Sequence, residues 1–145
     1  MFYELANLTD DALSAVGFLA PLTGNHALKF NVLEDEMLVE IECEGVMLMD
    51  GVAVLAELGF LVDALPSTKL WAKGQAVALA EQAPISFKRT YRLARGEHKV
   101  TLLGQAGAGA PALNGTAYPT RMSVKNVTNN NVVAANDNAK RQGIY

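Results

Sequence analysis

Cysteine is all but missing from this chain. Cys43 stands alone among 145 residues, so no intrachain disulfide framework can form and a hydrophobic core has to hold the fold. The first dozen residues, MFYELANLTDDA, offer no basic group ahead of an apolar run, so no secretory leader is expected, and the expected location is the cytoplasm or a virus particle. Apolar stretches free of charge are missing too. The most hydrophobic window, Val46 to Leu65, is interrupted by Asp50, Glu57 and Asp63. Each of these acids would cost about 2.5–3.5 kcal/mol at the centre of a bilayer, so no membrane span is expected.

The signatures of chemistry are equally scarce. No nucleophile elbow, P-loop, dinucleotide fingerprint or Cys/His metal cluster occurs. His26 and His98 stand apart from any motif, and the glycines at Gly107 and Gly109 lack a following Lys-Ser/Thr. Cys43 alternates onto an apolar face, where a thiol is inert. Glu40, Glu42 and Glu44 present hard oxygen ligands, but carboxylates two apart on a strand lie about 6.5–7 Å from one another, which suits a solvated face better than a cation. A non-enzymatic protein without cofactor or metal ion is the expectation.

What the chain does have is charge sorted by position. Residues 1–66 hold twelve acids and one base, Lys29, for a net −11; residues 67–145 hold eleven bases and three acids, for +8; the two leave the whole chain at −3. Five of the twelve Lys and Arg residues fall between Ser86 and Leu103: Lys88, Arg89, Arg92, Arg95 and Lys99. The acids concentrate at Glu34, Asp35, Glu36, Glu40, Glu42 and Glu44. Charge asymmetry of this kind points to charged partners.

An apolar fraction of 50% in a chain of this length predicts one domain over residues 1–127, and the expected class is α+β. Thr9 is placed to cap a helix whose first turn holds Asp10 and Asp11 and which stops at Pro21. Ala27–Leu33 and Leu38–Glu44 alternate with period two and predict an antiparallel hairpin, with Phe30 opposite Ile41 and Lys29 opposite Glu42. The run around VAVLAEL is apolar nearly all round and predicts a buried helix from Gly51 to Leu58. A second helix is expected from Lys69 to Gln82, carrying Trp71. Ser86–Leu103 predicts a second hairpin turning at Arg95–Gly96, with Phe87, Tyr91, Leu93, Val100 and Leu102 on one face. Residues 105–118 are small and read as a flexible loop; Arg121–Val127 reads as one more strand, and residues 128–145 as an extended or disordered polar arm.

Three functional readings follow. In the first, the acidic residues of one copy meet the basic residues of another, giving a homo-oligomer or other multimeric assembly such as a virus particle. In the second, the order helix–helix–basic hairpin binds nucleic acid, with Lys69, Lys73 and Gln75 at the groove and Arg92, Arg95 and Lys99 on phosphates. In the third, the acidic face mimics nucleic acid or docks on a basic protein. Against all three stands the pairing of the two charged regions within one molecule.

Overall fold

A computed structural model describes residues 2–13, 20–22, 26–51, 53–75 and 81–127. Ten strands occupy them: β1 (Phe2–Asn7), β2 (Asp10–Ala12), β3 (Ala20–Pro21), β4 (Ala27–Met49), β5 (Val54–Val62), β6 (Leu65–Pro66), β7 (Trp71–Gln75), β8 (Glu81–Ala108), β9 (Ala112–Asn114) and β10 (Thr120–Asn126). They join into one antiparallel sheet whose main order is β1-β10-β4-β8-β5-β6, with β7 also on β5, β9 joining β2 to β4, and β3 on β8.

The fold is therefore all-β, and the expected α+β class is wrong. Asp10–Ala12, the first turn of the expected N-terminal helix, is strand β2, while residues 14–19 lie outside the described residues. The expected helix 51–58 is largely β5, and the described part of the expected helix 69–82 is β7 and the start of β8. The reason is visible in β5. Val54, Ala56, Leu58, Phe60 and Val62 are buried on one face, while Leu55, Glu57 and Leu61 on the other are half-covered. A strand enclosed from both sides is apolar at nearly every position, and that pattern is the same as a buried helix over so short a run. Ladders to β7 and β8 then override the helical preference of Ala, Leu and Glu.

The two expected hairpins also give way. Ala27–Met49 is one strand and Glu81–Ala108 is another, and they pair with each other. Phe30 lies opposite His98, Ile41 opposite Arg89, Lys29 opposite Lys99 and Arg92 opposite Leu38. The stretches expected to be turns, Glu34–Met37 and Arg95–Gly96, face one another at a register shift between Val32 and Glu36. Gly96 takes a φ of 131° there, a value side-chain-bearing residues rarely adopt.

At this shift the long two-stranded ribbon folds back on itself. Phe60 pairs across the ladder with Leu102, and from Leu102 to Phe87 a straight strand would run about 50 Å. The rings of Phe60 and Phe87 are nevertheless 4.9 Å apart. In the same way Tyr3 aligns through Val124 with Ile41, about 36 Å of straight strand from Phe30, yet the Tyr3 and Phe30 rings lie 6.3 Å apart. The sheet thus closes into two layers. One holds β1, β10, the later part of β4 and the earlier part of β8; the other holds the remainder of β4 and β8 with β5, β6 and β7. Burial follows the fold: Phe30 and Val32 are inward before the shift, and Met37, Val39, Ile41 and Cys43 after it, so the inward positions change from even to odd.

The small-residue segment expected to be a loop has a packing reason. Gln105–Ala108 completes β8 and Ala112–Asn114 is β9. A Cβ on Gly107 would sit 2.6 Å from Leu55 Cδ2, and one on Gly109 2.7 Å from Val54 Cγ2, so these glycines allow β8 to close on β5. Residues 128–145 lie outside the described residues.

Phe60 holds the two layers together at their centre. Phe60→Ala is expected to lower unfolding stability by about 3–5 kcal/mol in urea titrations. A loss under 1 kcal/mol would show that the layers do not depend on this contact.

Candidate functional site

The charged residues singled out from the sequence fall into two places. The first is the outer surface of the layer containing β1, β10, β4 and β8. Period-two alternation turns Glu40, Glu42 and Glu44 outward because Val39, Ile41 and Cys43 are buried. Across the four strands the rows read Phe2–Lys125–Glu40–Thr90, then Glu4–Ser123–Glu42–Lys88, then Ala6–Arg121–Glu44–Ser86. Lys125 pairs with Glu40 at 3.2 Å and Arg121 with Glu4 at 3.1 Å. The surface is a lattice of alternating charge, and Lys88 sits beside Glu42 within it. Among the described residues no group of three or more His, Cys, Asp or Glu is placed to hold a metal ion. Cys43, beneath this surface, has its thiol pushed up to about 12 by burial and by the charges of Glu44 and Glu42.

The second place is the bend. Arg92 pairs with Glu36, and Arg95 pairs with Asp35 at 3.1 Å. These pairs are exposed, and each contributes at most about 1 kcal/mol. Glu34 carries no such contact among the described residues, and Leu33 next to it is 75% exposed. Lys99 lies opposite Lys29 on the other layer. Arg89 has no carboxylate partner among the described residues; its guanidinium lies over the Tyr91 ring, 5.6 Å from the centroid.

Beside the bend is a cleft of about 270 Å³ between the edge of β8 and the β5–β6 turn, lined chiefly by Val62, Leu65, Pro66, Arg89, Tyr91 and Leu93. Burial raises the Tyr91 phenol above its usual value, against the opposing pull of Arg89 and Ser67.

Two histidine clusters were not visible in the sequence, because their partners are far apart along the chain. At the bend, Asp63 opens a two-residue turn with a φ of 54°. Its carboxylate receives the Lys99 backbone N–H at 3.0 Å and lies 2.7 Å from His98 Nδ1, while His98 Nε2 lies 2.7 Å from the Ala94 carbonyl oxygen. Both ring nitrogens face acceptors, an arrangement that favours the doubly protonated ring. Burial pulls the His98 pKa down, but the Asp63 hydrogen bond, the Ala94 carbonyl and the Asp63 charge outweigh it and leave it raised. For Asp63, burial pushes upward and is outweighed by the His98 hydrogen bond, the Lys99 N–H and the His98 charge, so its pKa is lowered. The ring also stacks on Phe30, 5.8 Å between centroids.

The second cluster is buried. His26 Nε2 lies 3.2 Å from Asp11 Oδ2. Asn7 Nδ2 lies 3.1 Å from Nδ1 and 2.7 Å from Nε2, and Asn7 Oδ1 accepts from Thr9 Oγ1 at 2.9 Å. The ring thus faces an amide donor and a carboxylate acceptor. Burial lowers the His26 pKa and outweighs the charge and hydrogen bond of Asp11. His26 is only 3% exposed, so the cluster tethers β1 and β2 to the start of β4 and is closed to substrate.

These observations define an all-β, two-layer protein; among the described residues there is no helix, and so none long and apolar enough to cross a membrane. No family model and no curated protein matches the chain. Among solved structures, a chain of the T=1 particles derived from infectious bursal virus is similar with a TM-score of 0.49 and 8% identity over 86% of this chain, which spans 35% of that one. The C-terminal carbohydrate-binding module (CBM6) of LamC from Zobellia galactanivorans gives a TM-score of 0.37 and 11% identity, over 86% of this chain and 99% of that one. An exo-β-1,3-galactanase from Phanerochaete chrysosporium gives 0.35 and 18% identity, with 86% of this chain and 29% of that one covered.

The two histidines respond to pH in opposite directions. His98, raised in the fold, adds stability that is fully present below 6.5 and is lost as pH rises through its raised value. Asp63, lowered, adds stability that is fully present above 3.8 and is lost as pH falls through its lowered value. The clasp at the bend is therefore complete between pH 3.8 and 6.5. His26 does the reverse: below 6.5 the unfolded chain takes up a proton that the folded chain refuses, so stability declines on acidification. His98→Gln is expected to cost up to about 1 kcal/mol near pH 5.5 and less as pH rises toward 9 in urea titrations. A deficit independent of pH would show that the ring serves only as packing.

Proposed function

We propose that the chain is a non-enzymatic structural protein that works through protein–protein contacts in a multimeric assembly, within a virus particle or the cytoplasm. One observation carries this reading: the bend projects an acidic segment, Leu33–Glu36, beside a basic one, Arg89–Arg95, and the pairing within the molecule leaves Glu34 and Arg89 without partners of opposite charge among the described residues. A surface that presents both signs side by side is complementary to a copy of itself. The reading rests on that surface and not on likeness of fold.

The helix–helix–hairpin arrangement proposed for nucleic-acid binding is overturned with its helices: Lys73 and Gln75 lie on strand β7, Lys69 precedes it and pairs with Glu57, and Arg92 and Arg95 are engaged by Glu36 and Asp35. The acidic-mimic reading has less support, because Glu36, Glu40 and Asp35 each hold a base of the same chain.

Light scattering across a salt series tests the proposal. A multimer at about 50 mM salt that dissociates toward 1 M, where screening shortens to about 3 Å, is the expected result. A monomer at every salt concentration would sink it. Retention on immobilised DNA at low salt, lost in Arg92→Glu, would move the reading to nucleic acid.

A further inference from the structure

The cleft beside the bend carries a base, Arg89, and the segment at the bend carries an acid, Glu34, neither with an ion-pair partner among the described residues. Leu33 is 75% exposed and stands at the start of the acidic segment, followed by Glu34. A single exposed leucine is ordinary on a protein surface. The same bend holds a mainly apolar cleft of about 270 Å³, lined by Val62, Leu65, Pro66, Tyr91 and Leu93 together with Arg89. Leu65, on the same cleft, is itself 77% exposed. Burying a leucine side chain removes apolar surface from water, and the volume of the cleft can accept one.

Cleft and bulge are neighbours, since Arg92 lines the cleft and also pairs with Glu36 of the bulge. Leu33 lies at the register shift where the ribbon turns, and Arg92 lies on the strand facing it. When a projection and its receptor share one surface, a two-fold rotation brings each projection to the other receptor and forms both contacts at once.

We infer that this end of the molecule is a self-complementary, two-fold interface. Leu33 of one copy enters the cleft of the second, Glu34 meets Arg89 on the rim, and the same pair of contacts repeats in reverse. The occupant of the cleft is thus a second copy of this chain. The inference rests on the assembly reading and narrows it, because a reciprocal contact closes at two molecules, giving a dimer as the building unit.

The charges favour this pairing over other arrangements of the two bends. Arg92 and Arg95 are already held by Glu36 and Asp35, which leaves Arg89 on the cleft and Glu34 on the acidic segment without an ion-pair partner among the described residues. Turning two basic edges onto each other without the acidic bulge would oppose like charges, which is unfavourable. Arg89 is also pre-positioned, since the Tyr91 ring beneath it restricts the guanidinium before any partner arrives.

Sedimentation equilibrium on the full chain separates the outcomes. The wild type is expected to dimerise, and Leu33→Asp and Arg89→Glu are each expected to weaken the dimer at least tenfold. Both positions are exposed, so the melting temperature of the monomer is expected to stay within about 2 °C of wild type, which distinguishes a lost interface from a lost fold. The double reversal Glu34→Arg with Arg89→Glu restores opposite charges across the two-fold contact and is expected to recover most of the affinity. A multimer indifferent to Leu33→Asp and Arg89→Glu would overturn this interface and leave the assembly reading standing. A monomer under all conditions would overturn both.

Discussion

Everything in this molecule depends on the pairing of Ala27–Met49 with Glu81–Ala108 and on the point where that ribbon folds. The ladder alone would make a long, nearly flat strip whose inward side chains faced solvent. The fold at Val32–Glu36, opposite Gly96, turns one half of the strip onto the other and lets Phe60 reach Phe87 and Tyr3 reach Phe30. The core is built by that reversal, and the remaining strands add to the ribbon's two sides. The His98–Asp63 clasp and the ion pairs of Arg92 and Arg95 lie at the same corner. Buried apolar contact supplies most of the energy, and the exposed polar contacts add little to it.

The faces of the strands were legible in the sequence, and their partners were not. Phe30, Val39, Ile41 and Cys43 were placed inward by alternation and are buried, and the same holds for Phe87, Val100 and Leu102. Alternation, a charged interruption and renewed alternation describe a hairpin equally well as a single bent strand. The register therefore came out wrong, with Lys29 opposite Lys99 in place of Glu42. The class was missed for a related reason. Val54–Val62 is rich in Ala, Leu and Glu, and nothing within it announces the strands that enclose it.

The candidate site was legible in its charges and hidden in its geometry. Glu36 and Arg92 stood out as members of opposed clusters, and the fold sets them side by side. The cleft joins residues 62–67 to residues 89–93, and the two histidine clusters join residues more than a dozen positions apart. Periodicity reports on neighbours along the chain and is silent on such meetings. Leu33 illustrates the limit. In the sequence it ended an apolar strand, and only the bend leaves it standing in solvent.

The separation of the ribbon's halves has a consequence for how the chain acquires its structure. Leu28 cannot find its place until Val100 exists, and Met49 must wait for Glu81. During synthesis the whole of β4 therefore emerges before any of β8, with its backbone donors and acceptors unpaired and its alternate side chains apolar. Closing so long a loop costs entropy before contacts repay it, so folding of this topology is slow compared with a protein built of local hairpins. Exposed strands in that interval are open to pairing with other chains. The acids that interrupt the strand at Glu34, Asp35, Glu36, Glu40, Glu42 and Glu44 give nascent copies a shared negative charge at that stage, and like charge keeps them apart until the basic strand arrives to neutralise it.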